Sequence, residues 1–312
     1  MANEKFRGVT PPILTPFTPD ERVDRPSLRR LVNYMIDNGI HGIWATGTTG
    51  EFATMRDKER VIANETIVDA VAGRIPVIAC IADASTERTV EIGLAIKHIG
   101  VDAVAATPPY YYSNTPDELL DHYRYIREKV DLPLFVYNIP STVKVAVPPA
   151  VTVQLAKEGT VIGIKDSSGA GELLAELVMR CDLEKVELRR FLGTRMRIST
   201  CKQVGVHGAV AGTANVMPEA TVKAWEAGER DDMEEARRWD AKIELLSKLT
   251  GLAKGGSQTA AAFAGMKAAL KIMGIIDHDT VTRPLRPFTE EEKRGIPPIL
   301  AQMGVPIMAG VR

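Results

Sequence analysis

Along most of the chain, short runs of apolar residues alternate with longer stretches in which apolar and polar positions share a helical period. The short runs fall at 8–14, 42–45, 77–81, 103–106, 134–137, 161–165, 190–192 and 208–211, and their length and bounds predict eight buried strands. Helices are predicted between them, including 26–38, 57–71, 86–99, 116–130, 147–157 and 218–227. Several of these open on a capping residue or an early proline, as at Asp24-Arg25-Pro26, Ser85-Thr86 and Thr115-Pro116. Several end at glycine, as at Asn38-Gly39, Ala72-Gly73 and Ile99-Gly100. Strands alternating with helices make βαβ units and hence a parallel sheet.

Eight such repeats predict an α/β protein closed into a (β/α)8 TIM barrel. An open doubly wound sheet is the competing arrangement, but the glycine-rich nucleotide fingerprint expected after its first strand is missing. Beyond about residue 227 the pattern is helical only, over 231–249, 258–273 and 289–303. No linker rich in Pro, Ser or Gly separates these helices from the rest. The expected organisation is therefore a barrel over 1–227 and a C-terminal helical extension, 228–312, packed on it. A chain of 312 residues suits this division, since one barrel takes about 250.

Composition narrows the function classes. Hydrophobic residues make up 45% and charged residues 25%, enough apolar material for a sizeable core. The net charge of −1 gives no basis for a nucleic-acid partner or a membrane-surface one. Cys80, Cys181 and Cys201 form neither a disulfide framework nor a zinc spacing, and His41, His98, His122, His207 and His278 are scattered without metal-ligand spacing. The segment 1–6 lacks the apolar core of a signal peptide, and no apolar run approaches the ~20 residues that cross a bilayer. A cytoplasmic protein with no metal is expected.

In a parallel barrel, reactive groups sit at the C-terminal strand ends and in the loops that follow. Lys165 ends an apolar run, so its amine is expected inside the barrel mouth, where desolvation disfavours the ammonium and brings a nucleophilic amine within reach of neutral pH. Such an amine attacks a ketone to give an imine, an electron sink. Taken alone, a strand-end lysine is more often one that snorkels into solvent. Thr48-Thr49-Gly50 offers two hydroxyls and backbone N–H groups that could hold a carboxylate, although an ordinary polar loop would read the same way. Tyr137 ends a buried strand with a hydroxyl that needs a partner, as a proton relay or as a core tyrosine would. The run Tyr110, Tyr111, Tyr112 after Pro108-Pro109 reads as three exposed aromatics at a contact surface. Gly255-Gly256 reads as a turn between helices, and no Gly-x-Ser-x-Gly elbow supports serine hydrolase chemistry.

In order along the chain, Gly47-Thr48-Thr49-Gly50-Glu51, Pro109-Tyr110-Tyr111, Tyr137-Asn138-Ile139-Pro140 and Gly163-Ile164-Lys165-Asp166 resemble the dihydrodipicolinate synthase/N-acetylneuraminate lyase family. The resemblance extends from about Gly8 into the C-terminal helices. It implies a pyruvate-type lyase or aldolase acting on a 2-keto acid, without metal or dissociable cofactor, assembled as a homotetramer of two dimers. Lys165 would be the Schiff-base lysine, Tyr137 the proton shuttle and Thr48 its hydroxyl partner. Thr49, with Gly50 beside it, would bind the keto-acid carboxylate, and Tyr111 would reach a neighbouring subunit's site. A backbone carbonyl near Val210 would face the lysine, with Ser167 and Gly193 among the substrate-binding residues.

Two departures bear on the substrate. Thr142 stands where synthases carry the arginine that binds the semialdehyde carboxylate, a charge-assisted pair worth about 1.5–3 kcal/mol. After the seventh strand, Gly193-Thr194-Arg195-Met196-Arg197 replaces the acidic residues with which sialic acid lyases hold sugar hydroxyls. Arg195, with Arg197, is a candidate for reading an acidic or polar tail, against the alternative of two solvated cations. The leading expectation is an aldolase or dehydratase of 2-keto-3-deoxy sugar acids. A dihydrodipicolinate synthase with an altered semialdehyde site is the alternative, and a non-catalytic binding barrel is more distant.

Overall fold

The computed structural model describes residues 3–169, 171–193 and 198–307. Its sheet has eight parallel strands: β1 (Gly8–Val9), β2 (Ile43–Ala45), β3 (Val77–Cys80), β4 (Ala103–Ala106), β5 (Leu134–Asn138), β6 (Gly163–Asp166), β7 (Arg189–Leu192) and β8 (Gly208–Ala209). Neighbours run in the order β1-β8-β7-β6-β5-β4-β3-β2. The remaining seam, between β1 and β2, is closed by Trp44 N–H donating to the Pro11 carbonyl at 2.9 Å and Ile13 N–H donating to the Trp44 carbonyl at 3.1 Å. The sheet is thus the expected (β/α)8 TIM barrel. The first strand is shorter than the run 8–14 predicts, because Pro11 and Pro12 have no N–H to give a regular ladder.

The helices between strands are α1 (Arg25–Asp37), α2 (Asp57–Val71), α3 (Thr86–Ile96), α4 (Pro116–Val130), α5 (Pro140–Val143), α6 (Pro149–Lys157), α7 (Gly171–Leu183) and α8 (Pro218–Glu229). The predicted caps form. Asp24 accepts from Ser27 N–H at the start of α1, and Thr115 with Glu118 makes a reciprocal capping box at α4. The helix expected over 86–99 tightens into a 3-10 turn at Lys97–Ile99 and stops at Gly100, whose φ of 97° suits glycine.

The C-terminal extension contains α9 (Met233–Glu244), α10 (Ser247–Thr250), α11 (Gln258–Ile272), α12 (Glu290–Lys293) and α13 (Ile296–Met303). The single helix expected over 289–303 is two, because Pro297 and Pro298 cannot continue a helix and instead occupy the first turn of a new one. No helix among the described residues is long and apolar enough to cross a membrane.

The period of two along each strand sorts side chains into two apolar layers. Leu134, Val136, Val104 and Ile164 face outward into the layer beneath the helices, which continues into Leu249, Phe263, Leu270 and Leu300 of the extension. Trp44, Cys80, Ala103, Ala105, Phe135, Tyr137, Phe191 and Val210 fill the barrel interior, with Phe6 against Phe135 at its base. Gly163 makes room for this inner layer, since a Cβ there would lie 2.1 Å from the Phe135 ring.

Candidate active site

Lys165 lies on β6 in register with Tyr137 on β5 and Phe191 on β7, so all three project into the barrel. The residue is 3% exposed. Its Nζ sits 4.0 Å from the centre of the Tyr137 ring and 4.9 Å from that of Trp44. Among the described residues no carboxylate pairs with it. Burial without a counter-charge lowers the Lys165 amine to about 7, with nearby Cys80 opposing. At neutral pH a large share of the amine is therefore free of its proton, which is what attack on a ketone requires.

Tyr137 stacks edge-on against Trp44 at 5.5 Å, and its hydroxyl lies 3.1 Å from Thr48 Oγ1. Burial raises its pKa, countered by the hydrogen bonds of Thr48 and Ser167, so the phenol rests protonated and can pass a proton along the Thr48 bond. The turn carrying Thr48 and Thr49 is held from below. Gly47 lies on the Trp44 ring, where a Cβ would come within 2.9 Å, and the Gly50 carbonyl accepts from the Thr15 hydroxyl at 2.9 Å. Glu51 N–H donates to the Thr48 carbonyl at 3.0 Å. Thr49 is half-buried beside Thr48, and its hydroxyl and amide have no hydrogen-bond partner among the described residues. Those are two free donors at the mouth, a suitable seat for a small carboxylate.

The other sequence candidates fall around this centre. Ser167 N–H donates to the Asn138 carbonyl at 2.7 Å, and its hydroxyl donates to the Gly193 carbonyl at 3.2 Å. Gly193 is pressed against the lysine, since a Cβ there would lie 2.8 Å from Lys165 Cε and 2.0 Å from Ser167 Oγ. Val210 is buried in the inner layer and is anchored by its N–H to the Leu192 carbonyl at 2.7 Å. Arg195, with Thr194 and Arg197, lies outside the described residues.

The tyrosine run is not uniformly exposed. Tyr110 is half-buried against the inner layer, whereas Tyr111 and Tyr112 are 89% and 77% exposed. Tyr111 has a φ of 104° and meets the Tyr112 ring at 5.2 Å.

Two groups beside Lys165, Trp44 and Cys80, are not marked by the motifs. Their inward parity on β2 and β3 was the available signal. The Asn and Asp of the two motifs also meet: Asn138 Nδ2 donates to Asp166 Oδ1 at 2.7 Å, while Asn138 Oδ1 accepts from Val147 N–H. That pair locks the ends of β5 and β6 together. His41, His122 and His207 are hydrogen-bonded to barrel backbone, and no cluster of three His, Cys, Asp or Glu among the described residues could hold a metal.

A cleft of about 770 Å³ opens between the ends of β7 and β8 and the extension, reaching Gly193, the residue pressed against the lysine. Gly193, Val210 and Ala211 form its barrel side, and α10, α11 and the turn through Gly255 and Gly256 form the other.

The dihydrodipicolinate synthetase family profile matches residues 5–303. The chain belongs to this family. It is 31% identical to a DapA-like lyase of Thermofilum pendens over 97% of this chain and 99% of that one. It is equally 31% identical to a 4-hydroxy-tetrahydrodipicolinate synthase of Desulfotalea psychrophila, over 92% and 93%. Among solved structures, dihydrodipicolinate synthase from Bacteroides thetaiotaomicron superposes with a TM-score of 0.89 at 32% identity, covering 95% of this chain and 98% of that one. A monomeric dihydrodipicolinate synthase variant also superposes, with a TM-score of 0.87 at 29% identity, covering 98% and 99%. Enzymes of the family are lyases that form a Schiff base between a lysine and pyruvate and use no external cofactor. This chain is such a lyase.

Proposed function

We propose that Lys165 forms the Schiff base, that the Thr48–Thr49 turn holds the keto-acid carboxylate, and that the substrate carries a polyhydroxylated tail lying in the cleft. One observation supports this most: a buried amine, held near neutrality and without a carboxylate partner among the described residues, lies against Gly193, which lines a cleft far larger than pyruvate requires. Lys165 Nζ attacks C2, and the carbonyl oxygen leaves as water to give an iminium. Tyr137, passing its own proton on to Thr48, takes the proton of the C4 hydroxyl as C3–C4 breaks; C4 departs as an aldehyde, and the electron pair enters the iminium to form an enamine. Protonation of the enamine at C3 and hydrolysis release pyruvate and free the lysine. In a dehydratase a hydroxyl departs as water at the imine stage instead.

The tail reading draws on the cleft wall, where Thr213, Ser247, Thr250 and Ser257 set hydroxyls among the charged side chains of Asp240, Glu244 and Lys254. It also draws on Thr142, exposed on α5 where an acid-reading arginine would be needed. We read Tyr111 as reaching a neighbouring copy in a homotetramer and the protein as cytoplasmic. The similarity to a 4-hydroxy-tetrahydrodipicolinate synthase favours a second reading, condensation of pyruvate with aspartate semialdehyde, and a coupled reductase assay with that aldehyde detects it.

Gly212 tests the tail assignment. It lines the cleft, its φ is not in the left-handed region, and a Cβ there would meet nothing within 4 Å. Gly212→Leu is expected to leave borohydride trapping of pyruvate on Lys165 unchanged and to cut kcat/KM for 2-keto-3-deoxy sugar acids by roughly tenfold or more. An unchanged kcat/KM with those acids contradicts the tail assignment.

A further inference from the structure

A second buried lysine lies behind the carboxylate turn, and the mechanism does not use it. Lys267 is on α11 of the extension, and both its side chain and that of Glu51 have no exposure. Its Nζ donates to Glu51 Oε1, donates to the Thr280 carbonyl at 2.8 Å, and rests 4.3 Å from the centre of the Phe17 ring. The other carboxylate oxygen, Glu51 Oε2, accepts from both N–H and Oγ1 of Thr282 at 2.7 Å each. The Thr282 hydroxyl also meets that of Thr54, just past Glu51.

Glu51 is the last residue of the Gly47-Thr48-Thr49-Gly50-Glu51 turn, and its backbone is strained. Its φ is 64°, a left-handed value that side chains avoid, so something must hold it there. The same residue donates its N–H to the Thr48 carbonyl and accepts from Thr54 and Met55 N–H. The Glu51 carboxylate is thus the point at which the extension grips the turn three residues from Thr48. The gripping helix begins at Gln258 behind the Ser257 cap, and both residues line the cleft.

We infer that Lys267 is a positioning residue: through Glu51 it sets the Thr48–Thr49 turn, so that binding of the keto-acid carboxylate depends on the seating of α11. Burial lowers the Lys267 amine while Glu51 opposes that fall, and a held carboxylate is what keeps this ammonium in place. The inference rests on the reading that Lys165 forms the imine and that the turn holds the carboxylate.

The test compares two ketones on the full-length protein. Pyruvate carries the carboxylate and acetone does not, yet both form an imine that cyanoborohydride traps. Lys267→Met is expected to raise the half-saturating pyruvate concentration by roughly tenfold or more, the scale of one charge-assisted contact. Trapping of acetone on Lys165 should change by less than about twofold, since the lysine itself is undisturbed. If Lys267→Met does not fold, Thr282→Val decides, because it removes only one hydroxyl from Glu51 Oε2 and should show the same split at a smaller amplitude of about two- to threefold. Equal losses with both ketones, or no change with either, overturn the inference. Absence of any pyruvate adduct on Lys165 in the unaltered protein overturns the underlying reading instead.

Discussion

Two lysines are buried among the described residues, Lys165 in the barrel and Lys267 on the extension, and what surrounds each decides what it can do. Lys267 meets a carboxylate, a backbone carbonyl and an aromatic face, so its charge is answered on each side. Lys165 meets the faces of Tyr137 and Trp44, and no carboxylate among the described residues pairs with it. Burial pushes both amines down, but only around Lys267 does a carboxylate push back. The paired lysine serves as a fastener, and the unpaired one is free to shed its proton near neutrality. A buried lysine becomes a nucleophile through the partner it lacks as much as through its depth.

The sharpest way to break this contrast is to remove the reactive amine. Lys165→Met is expected to abolish trapping of any keto acid and, at the same time, to stabilise the fold. The sign follows from the lowered value. Below about pH 7 the buried amine is charged and the cost of burying it is fully present, and that cost fades as pH rises from about 7 towards the unfolded value of 10.5. Urea denaturation at pH 6 should therefore show the variant more stable by on the order of 2–5 kcal/mol, with the gap narrowing towards pH 9.5. A variant less stable than the parent at pH 6 contradicts this.

An opposite effect on stability, of similar size, is expected from Glu51→Leu. It strands the Lys267 ammonium without its carboxylate, and a loss of about 3–5 kcal/mol in urea unfolding should follow. A loss under about 1 kcal/mol would mean that Lys267 finds another partner and that the two sites differ less than the geometry shows.

Most of the barrel was legible along the chain because its signals are local. The apolar runs located the strands, and the places of Tyr137 and Lys165 at the ends of such runs put both side chains inward before any contact was known. Helix α7 was not singled out among the helices, and the first strand was drawn too long across Pro11 and Pro12. The Lys267–Glu51 pair joins residues 216 positions apart, which no local period reports. The tyrosine run was read as three exposed rings, whereas Tyr110 turns into the inner layer and only Tyr111 and Tyr112 face out. A loop's sequence states its polarity, but packing chooses which ring goes in. Arg195 lies outside the described residues, so its part in tail recognition stays with the kinetics of charged and neutral keto acids.

The central claim is that Lys165 is a nucleophile made available by unpaired burial. Its most direct test is the pH dependence of borohydride trapping with pyruvate, with the adduct located by peptide mapping. The account predicts one adduct, on Lys165, forming at a rate that rises through a single ionisation near pH 7 and then levels. A rate still climbing towards pH 10, as for an ordinary lysine, or an adduct on a different lysine, would contradict it.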